Sequence, residues 1–227
     1  VSKFKIKIKN QNTKPMKILI LGATGRTGGR IATMANNSGH KVTAIVRNLQ
    51  KATLPFVEYT EGAPADGALL TSALAGIDAV VVALNINRVS DNPWAKVASP
   101  LTLISDTVRA LIPAMEQNGV QRIVTISASG VGDSWSDMPL AGKLFIRYSN
   151  IWNAYLDHDR QEKLLRSSGL DWTIARPVML NDKPSENYRT ATGKALSPSI
   201  PRNAVAKFVV DTLEQRTHIR EIVALFE

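Results

Sequence analysis

Short apolar runs alternate along this chain with stretches of helical spacing, and that alternation predicts the architecture before any residue chemistry is considered. Residues 17–21 (KILIL) form a continuous apolar run ending at glycines, the pattern of a strand buried on both faces of a parallel sheet. Ile31, Met34 and Ala35 then recur at helical spacing over 26–38, and Gly39 offers a stop. A β-branched run, KVTAIV, follows at 41–46. Strand, helix and strand within about thirty residues make a βαβ unit with a right-handed crossover.

The alternation continues to the C-terminus. Strands are expected at 56–59, 78–84, 122–127, 172–175 (breaking at Pro177) and 222–226, with helices at 67–74 and 151–168. A further helix carries Leu101, Ile104, Val108, Leu111, Ile112 and Met115 on one face, with Ser99 and Pro100 as cap and first residue and Asn118-Gly119 as its end. Asn203 is expected to cap a last helix through Leu213. No repeat or low-complexity linker divides the chain, so residues 16–227 read as one doubly wound α/β domain of the Rossmann type, a parallel sheet with helices on both faces. Loops at about 128–148 and 180–199 interrupt the pattern and are long enough to build a substrate pocket.

Composition narrows the chemistry. The 227 residues include no cysteine, which excludes thiolate metal sites, thiol nucleophiles and disulfides, and three scattered histidines do not suggest a metal centre. His40 and His218 are expected at the surface. The net charge of +9 is lopsided: residues 1–17 hold six lysines and no acid, leaving +3 for the rest. Phe4, Ile6 and Ile8 alternate with those lysines, so residues 1–15 are either a lysine-guarded edge strand or a disordered, non-native extension. No recognition helix or aromatic-and-basic module accompanies the arm, so nucleic acid is not an expected partner. No run approaches a membrane span or a secretory signal, and the chain reads as cytoplasmic.

The connection after the first strand is Gly22-Ala23-Thr24-Gly25-Arg26-Thr27-Gly28. One glycine suits the tight turn, a second lets the main chain approach a pyrophosphate, and a third lets helix and strand pack closely; the helix N-terminus then offers free N–H groups to phosphate. A glycine triplet means little alone, but this one follows a strand, opens a helix and sits in a βαβ unit. The second strand ends Val46-Arg47-Asn48 with no carboxylate for ribose hydroxyls, so Arg47, with Arg26 or Asn48 assisting, favours a 2′-phosphate and hence NADP(H) over NAD(H).

These motifs, with Ala75-Gly76-Ile77-Asp78-Ala79-Val80-Val81 and Ser168-Gly169-Leu170-Asp171-Trp172-Thr173-Ile174-Ala175-Arg176-Pro177, resemble the atypical short-chain dehydrogenases, in the branch of the NmrA-like proteins and the biliverdin-IXβ reductase and flavin reductases. The resemblance implies a nicotinamide flanked by Ser127 and by the Pro177-Val178 turn. It also places His158 near where relatives carry a catalytic lysine. The usual Tyr-x-x-x-Lys pair is missing: Trp152 stands four residues after Tyr148, and Asp159 four after Tyr155. Gly62-Ala63 replaces the family's Gly-Asp. Ser127 and His158 are therefore the candidate catalytic residues, although Ser127 could be a strand-end cap and His158 part of a solvated helix face. The implied activity is hydride transfer from NADPH to a small flat conjugated or carbonyl acceptor such as a flavin or quinone. The alternative is an NmrA-like redox sensor that binds NADP(H) and signals to a protein partner without turnover. A sugar-nucleotide epimerase is weaker, because that chemistry usually needs the Tyr-Lys pair.

Overall fold

The computed structural model describes residues 14–193 and 195–227, so the expectations for the lysine-rich arm lie, apart from Lys14 and Pro15, outside the described residues. The first half of the chain supplies β1 (Lys17–Leu21), α1 (Arg26–Asn37), β2 (Lys41–Val46), β3 (Val57–Glu61), α2 (Gly67–Ala73), β4 (Ala79–Val82) and α3 (Leu103–Gln117). The second half supplies β5 (Arg122–Ile126), α4 (Leu140–Arg147), α5 (Ile151–Arg166), β6 (Asp171–Pro177) and β7 (Met179–Asn181). It closes with β8 (Arg189–Ala191), β9 (Ser199–Pro201), α6 (Arg202–Glu214) and β10 (Glu221–Phe226).

Eight strands form one sheet in the order β3-β2-β1-β4-β5-β6-β10-β8, parallel throughout except where β8 runs antiparallel to β10. The apolar runs explain the order. β1 and β4 (AVVV) present large aliphatic side chains to both faces and occupy the middle, whereas β3 (VEYTE) alternates and lies at an edge. One core joins the sheet to α1 and α6 around Ile31 and Phe208; the other joins it to α2, α3 and α5 around Leu70, Leu111 and Leu165. Each fully buried side chain of this size contributes about 1.5–3 kcal/mol over leaving it exposed.

Several local expectations are corrected. The third helix begins at Leu103, not at Pro100, because the Ser99 hydroxyl accepts the Asn87 N–H (2.9 Å) and so ties down the preceding loop instead of capping the helix. Asn203 lies inside the first turn of α6, whose cap position is Pro201. β6 runs through Pro177, which pairs in register with Leu225. The missing N–H does no harm there, because Val178 makes the next bond to the Leu225 carbonyl and β5 has already ended at Ile126. The segment 128–148 is largely structured, with a 3-10 turn at Gly132–Trp135 followed by α4, and 180–199 contains β8 and parts of the parallel β7–β9 pair. His40 is buried, between the Met16 N–H on Nδ1 (3.2 Å) and Glu214 on Nε2 (3.2 Å), and joins the start of β2 to α6.

Candidate dinucleotide-binding cleft

Strand order reverses between β1 and β4, and a cleft opens at the carboxyl ends of those two strands, where open α/β sheets bind ligands. Gly22 sits at φ +98°, and a Cβ there would lie 2.5 Å from the Ala83 carbonyl oxygen at the end of β4. At Gly28 a Cβ would lie 2.1 Å from the Gly22 carbonyl oxygen, so this residue is what lets α1 close on the turn. Gly25 is different: its sole neighbour is the Gly22 oxygen at 3.2 Å, and the residue faces the cleft with Thr24, Arg26 and Thr27. No side chain caps α1 and no acid occupies its first turn, which leaves its partial positive charge turned to the cleft.

The neighbouring wall comes from β2. Ile45, Val46 and Arg47 line the cleft with Pro64, and Arg47 is exposed with no hydrogen bond or ion pair to any described residue. Asn48 does not line it; its side-chain oxygen accepts from the Gln50 N–H (2.7 Å) and holds the turn after β2. Arg26 lines the cleft but pairs with Asp91 across its mouth (3.0 Å). Asp91 belongs to the loop 83–102, which also brings Asn85, Asn87 and Arg88 into the wall. From the far side come Leu180 and Arg202, the latter ion-paired to Asp182 (3.0 Å). Sequence reasoning missed Asn85, Asn87, Arg88, Asp91 and Arg202, although the position of Asn85 just after β4 at a strand-order reversal was a usable signal.

Ser127, Pro177 and Val178 lie at the ends of β5 and β6 along the same sheet edge, His158 lies within α5, and none of them lines this cleft. Ser127 is buried, and its hydroxyl donates to Glu162 (2.6 Å). Glu162 in turn accepts from Arg176 Nε (3.0 Å) and Nη2, while Arg176 Nη1 donates to Asp133 (2.6 Å). Burial works against the Arg176 charge, but Glu162 and Asp133 outweigh it and hold the guanidinium pKa above its ordinary value. Burial would likewise raise Asp133, yet the hydrogen bond and charge of Arg176 bring it below the usual carboxylate range. Ser127 therefore offers lone pairs, not a proton, to anything beyond this network.

The Asp157-His158 pair points inward, which corrects the solvated-face alternative. Asp157 is fully buried and accepts the Ile104 N–H (2.7 Å) and the Ser105 hydroxyl, capping α3 from α5. His158 is buried with Nδ1 unpartnered, and burial pushes its pKa down to about 4. Tyr155 donates its hydroxyl to the Ser129 carbonyl (3.0 Å), and burial pushes its pKa up to about 12. Pro177 is buried at the end of β6, and Val178 is half-buried beside it.

A family model described as NAD(P)H-binding matches residues 22–216. The chain belongs to that NAD(P)H-binding family. It is 26% identical over 213 residues to a protein of Bacillus subtilis named as an uncharacterised sugar epimerase, covering 88% of this chain and 89% of that one. Among solved structures, an anaerobilin reductase of Escherichia coli O157:H7 superposes with a TM-score of 0.77 at 20% identity, over 93% of this chain and 97% of that one. A short-chain dehydrogenase/reductase of Veillonella parvula in complex with NADP gives 0.74 at 19% identity, over 94% and 95%. These two likenesses are of fold.

The residues present fit the family's cofactor. The space at Gly25 that a side chain would fill, the uncapped start of α1 and the exposed Arg47 together suit the phosphates of a dinucleotide. Beside Arg47 the cleft is lined by the apolar surfaces of Ile45 and Pro64. No described helix is long and apolar enough to cross a membrane.

Proposed function

We propose that this protein is an NADPH-dependent reductase acting on a small flat conjugated or carbonyl acceptor. The observation that carries this reading is Arg47, an unpaired guanidinium at the end of β2 with no carboxylate on its wall of the cleft, beside an uncapped glycine turn. NADPH bound there would supply hydride from C4 of its nicotinamide. Thr24, Gly25, Arg26 and Thr27 would hold the pyrophosphate, and Arg47 the 2′-phosphate. Ser127, with its proton committed to Glu162, would accept from an amide N–H such as that of the carboxamide, so it positions the ring and does not protonate the acceptor. Buried Pro177 gives the turn that flanks the ring a fixed φ. His158 is neutral and away from the cleft, so the acceptor's proton comes from solvent, a requirement that flavins and quinones meet without a dedicated acid.

One observation favours a second reading. No described group at the β5–α5 end is both exposed to the cleft and poised to give a proton, which also suits a sensor that binds NADP(H) and reports to a protein partner. The missing Tyr-Lys pair argues against epimerase chemistry. Steady oxidation of NADPH with a panel of flavins, quinones and aldehydes is the expected result, with NADPH bound more tightly than NADH. Micromolar binding with no turnover on any acceptor would replace the reductase with the sensor; equal affinity for the two cofactors would remove Arg47 from the assignment.

A further inference from the structure

A second cavity, of about 460 Å³, opens between the 130–135 turn and α5, and it shares no lining residue with the dinucleotide cleft. Its size falls within the range of small-molecule sites. One wall is aromatic. Trp135 meets Trp152 edge-on at 5.2 Å between ring centroids and Tyr155 at 6.2 Å. The Arg147 guanidinium lies 4.6 Å over the Trp152 ring, and Tyr155 is tied to the Ser129 carbonyl, so this wall is held in place by the protein itself.

The other wall is ionic, and its charges are unevenly satisfied. Each of its three carboxylates has a cation: Asp133 and Glu162 share Arg176, and Asp159 takes Lys163 (2.6 Å). Those bonds occupy Arg176 and Lys163 as well. Arg166, one helical turn beyond Glu162, makes no hydrogen bond or close ion pair to any described residue, its charge acting on Asp133 only at longer range, and neither indole N–H of Trp135 and Trp152 has a partner among the described residues. The cavity thus combines a flat aromatic surface with unpaired donors, while each of its carboxylates already has a cation. We propose that it binds a small aromatic carboxylate, the ring against Trp135 and Trp152 and the carboxylate on Arg166. A planar guanidinium suits a carboxylate through two parallel N–H···O bonds, and the aromatic wall selects a ring over an aliphatic acid.

The test uses the full chain without nucleotide, so its outcome is independent of the reductase assignment. Naphthalene-1-carboxylate and its uncharged carboxamide are titrated by calorimetry and by tryptophan fluorescence. The carboxylate is expected to bind saturably and to perturb the emission, with the carboxamide weaker by about tenfold or more, the size of a charge-assisted hydrogen bond. Arg166→Gln, at an exposed position, is expected to lower carboxylate affinity to that of the carboxamide while leaving carboxamide and NADPH binding unchanged. Trp152→Leu is expected to weaken both probes. Equal affinity for acid and amide, no saturable binding of either, indifference to Arg166→Gln, or competition by NADP would each overturn the proposal.

Discussion

At the β1–β2 end of the sheet's carboxyl edge, Arg47 finds no partner and no side chain caps the start of α1 among the described residues, whereas at the β5–β6 end Ser127, Glu162, Arg176 and Asp133 are linked into one chain of hydrogen bonds. Both ends are polar and both carry residues that a sequence reading singles out. Donors left open beside a glycine turn await a ligand, while a buried charge matched on several sides has already used its bonding capacity inside the fold. On the proposed function the first end recognises the cofactor and the second orients it, and each half of that reading can be broken.

The largest expected effect is at the satisfied end. Glu162→Leu leaves Arg176 buried with Asp133 as its remaining acid and strips Ser127 of its acceptor, so stability should fall by about 3–5 kcal/mol, the cost of breaking a buried pair from one side. Urea denaturation measures it. A loss below about 0.5 kcal/mol, the scale of an ordinary surface change, would mean that the network is not structural. NADPH affinity of the folded fraction should hardly change.

At the open end the glycines should separate. Gly25→Val is expected to weaken NADPH by more than about a hundredfold, at least 2.7 kcal/mol, by filling the space where a pyrophosphate must approach. The fold should survive, because a new Cβ would lie 3.2 Å from the Gly22 oxygen, a tight contact that a shift of a few tenths of an ångström relieves. Gly28→Val should instead fail to fold, since its Cβ would meet the Gly22 carbonyl at 2.1 Å. Identical behaviour of the two variants would erase the distinction between a binding glycine and a packing glycine.

Next comes Arg47→Ala, which should cost NADPH about 1.5–3 kcal/mol while NADH loses little, as expected when one charge-assisted contact to a 2′-phosphate is removed. Equal losses, measured by calorimetry, would place Arg47 on a part of the cofactor that both dinucleotides share.

What the sequence made legible follows the same division. The glycine spacing, the β2 terminus without an acid and the apolar runs of β1 and β4 are local signals, and each maps onto one connection or one strand. The inner face of α5 could not be read that way, because Asp157, His158, Gln161 and Glu162 all point inward and the helix shows little apolar periodicity. Glu162 and Arg176 are 14 residues apart on different elements, and their bond exists only once α5 has docked on β6. The loop 83–102 is rich in Asn, Ser and Pro, so nothing in its pattern announces that Asp91 crosses the cleft to Arg26 or that Trp94 anchors on α4 through the Tyr148 carbonyl (2.9 Å) and the Phe145 ring.

His158, buried on α5 outside that network with Nδ1 unpartnered, gives the smallest effect. Its pKa of about 4 in the folded chain lies below the 6.5 of an exposed histidine, so between those values the unfolded chain binds the extra proton and the folded one does not. Stability is therefore fully present above pH 6.5 and is lost as pH falls toward 4, with roughly 1–2 kcal/mol gone by pH 5–5.5 on this account. His158→Met keeps the bulk, removes the titration and leaves no unpartnered ring nitrogen. The variant should match the protein closely at pH 7.5 and should lack this part of the acid loss, so the gap between the two denaturation midpoints should widen steadily below pH 6.5. NADPH-dependent turnover at neutral pH should be unchanged, because a buried neutral imidazole outside the cleft has no proton to give. A ten- to hundredfold fall in turnover, with the neutral limb of the pH–rate profile gone, would instead make His158 a general acid that reaches the acceptor in a conformation different from this one.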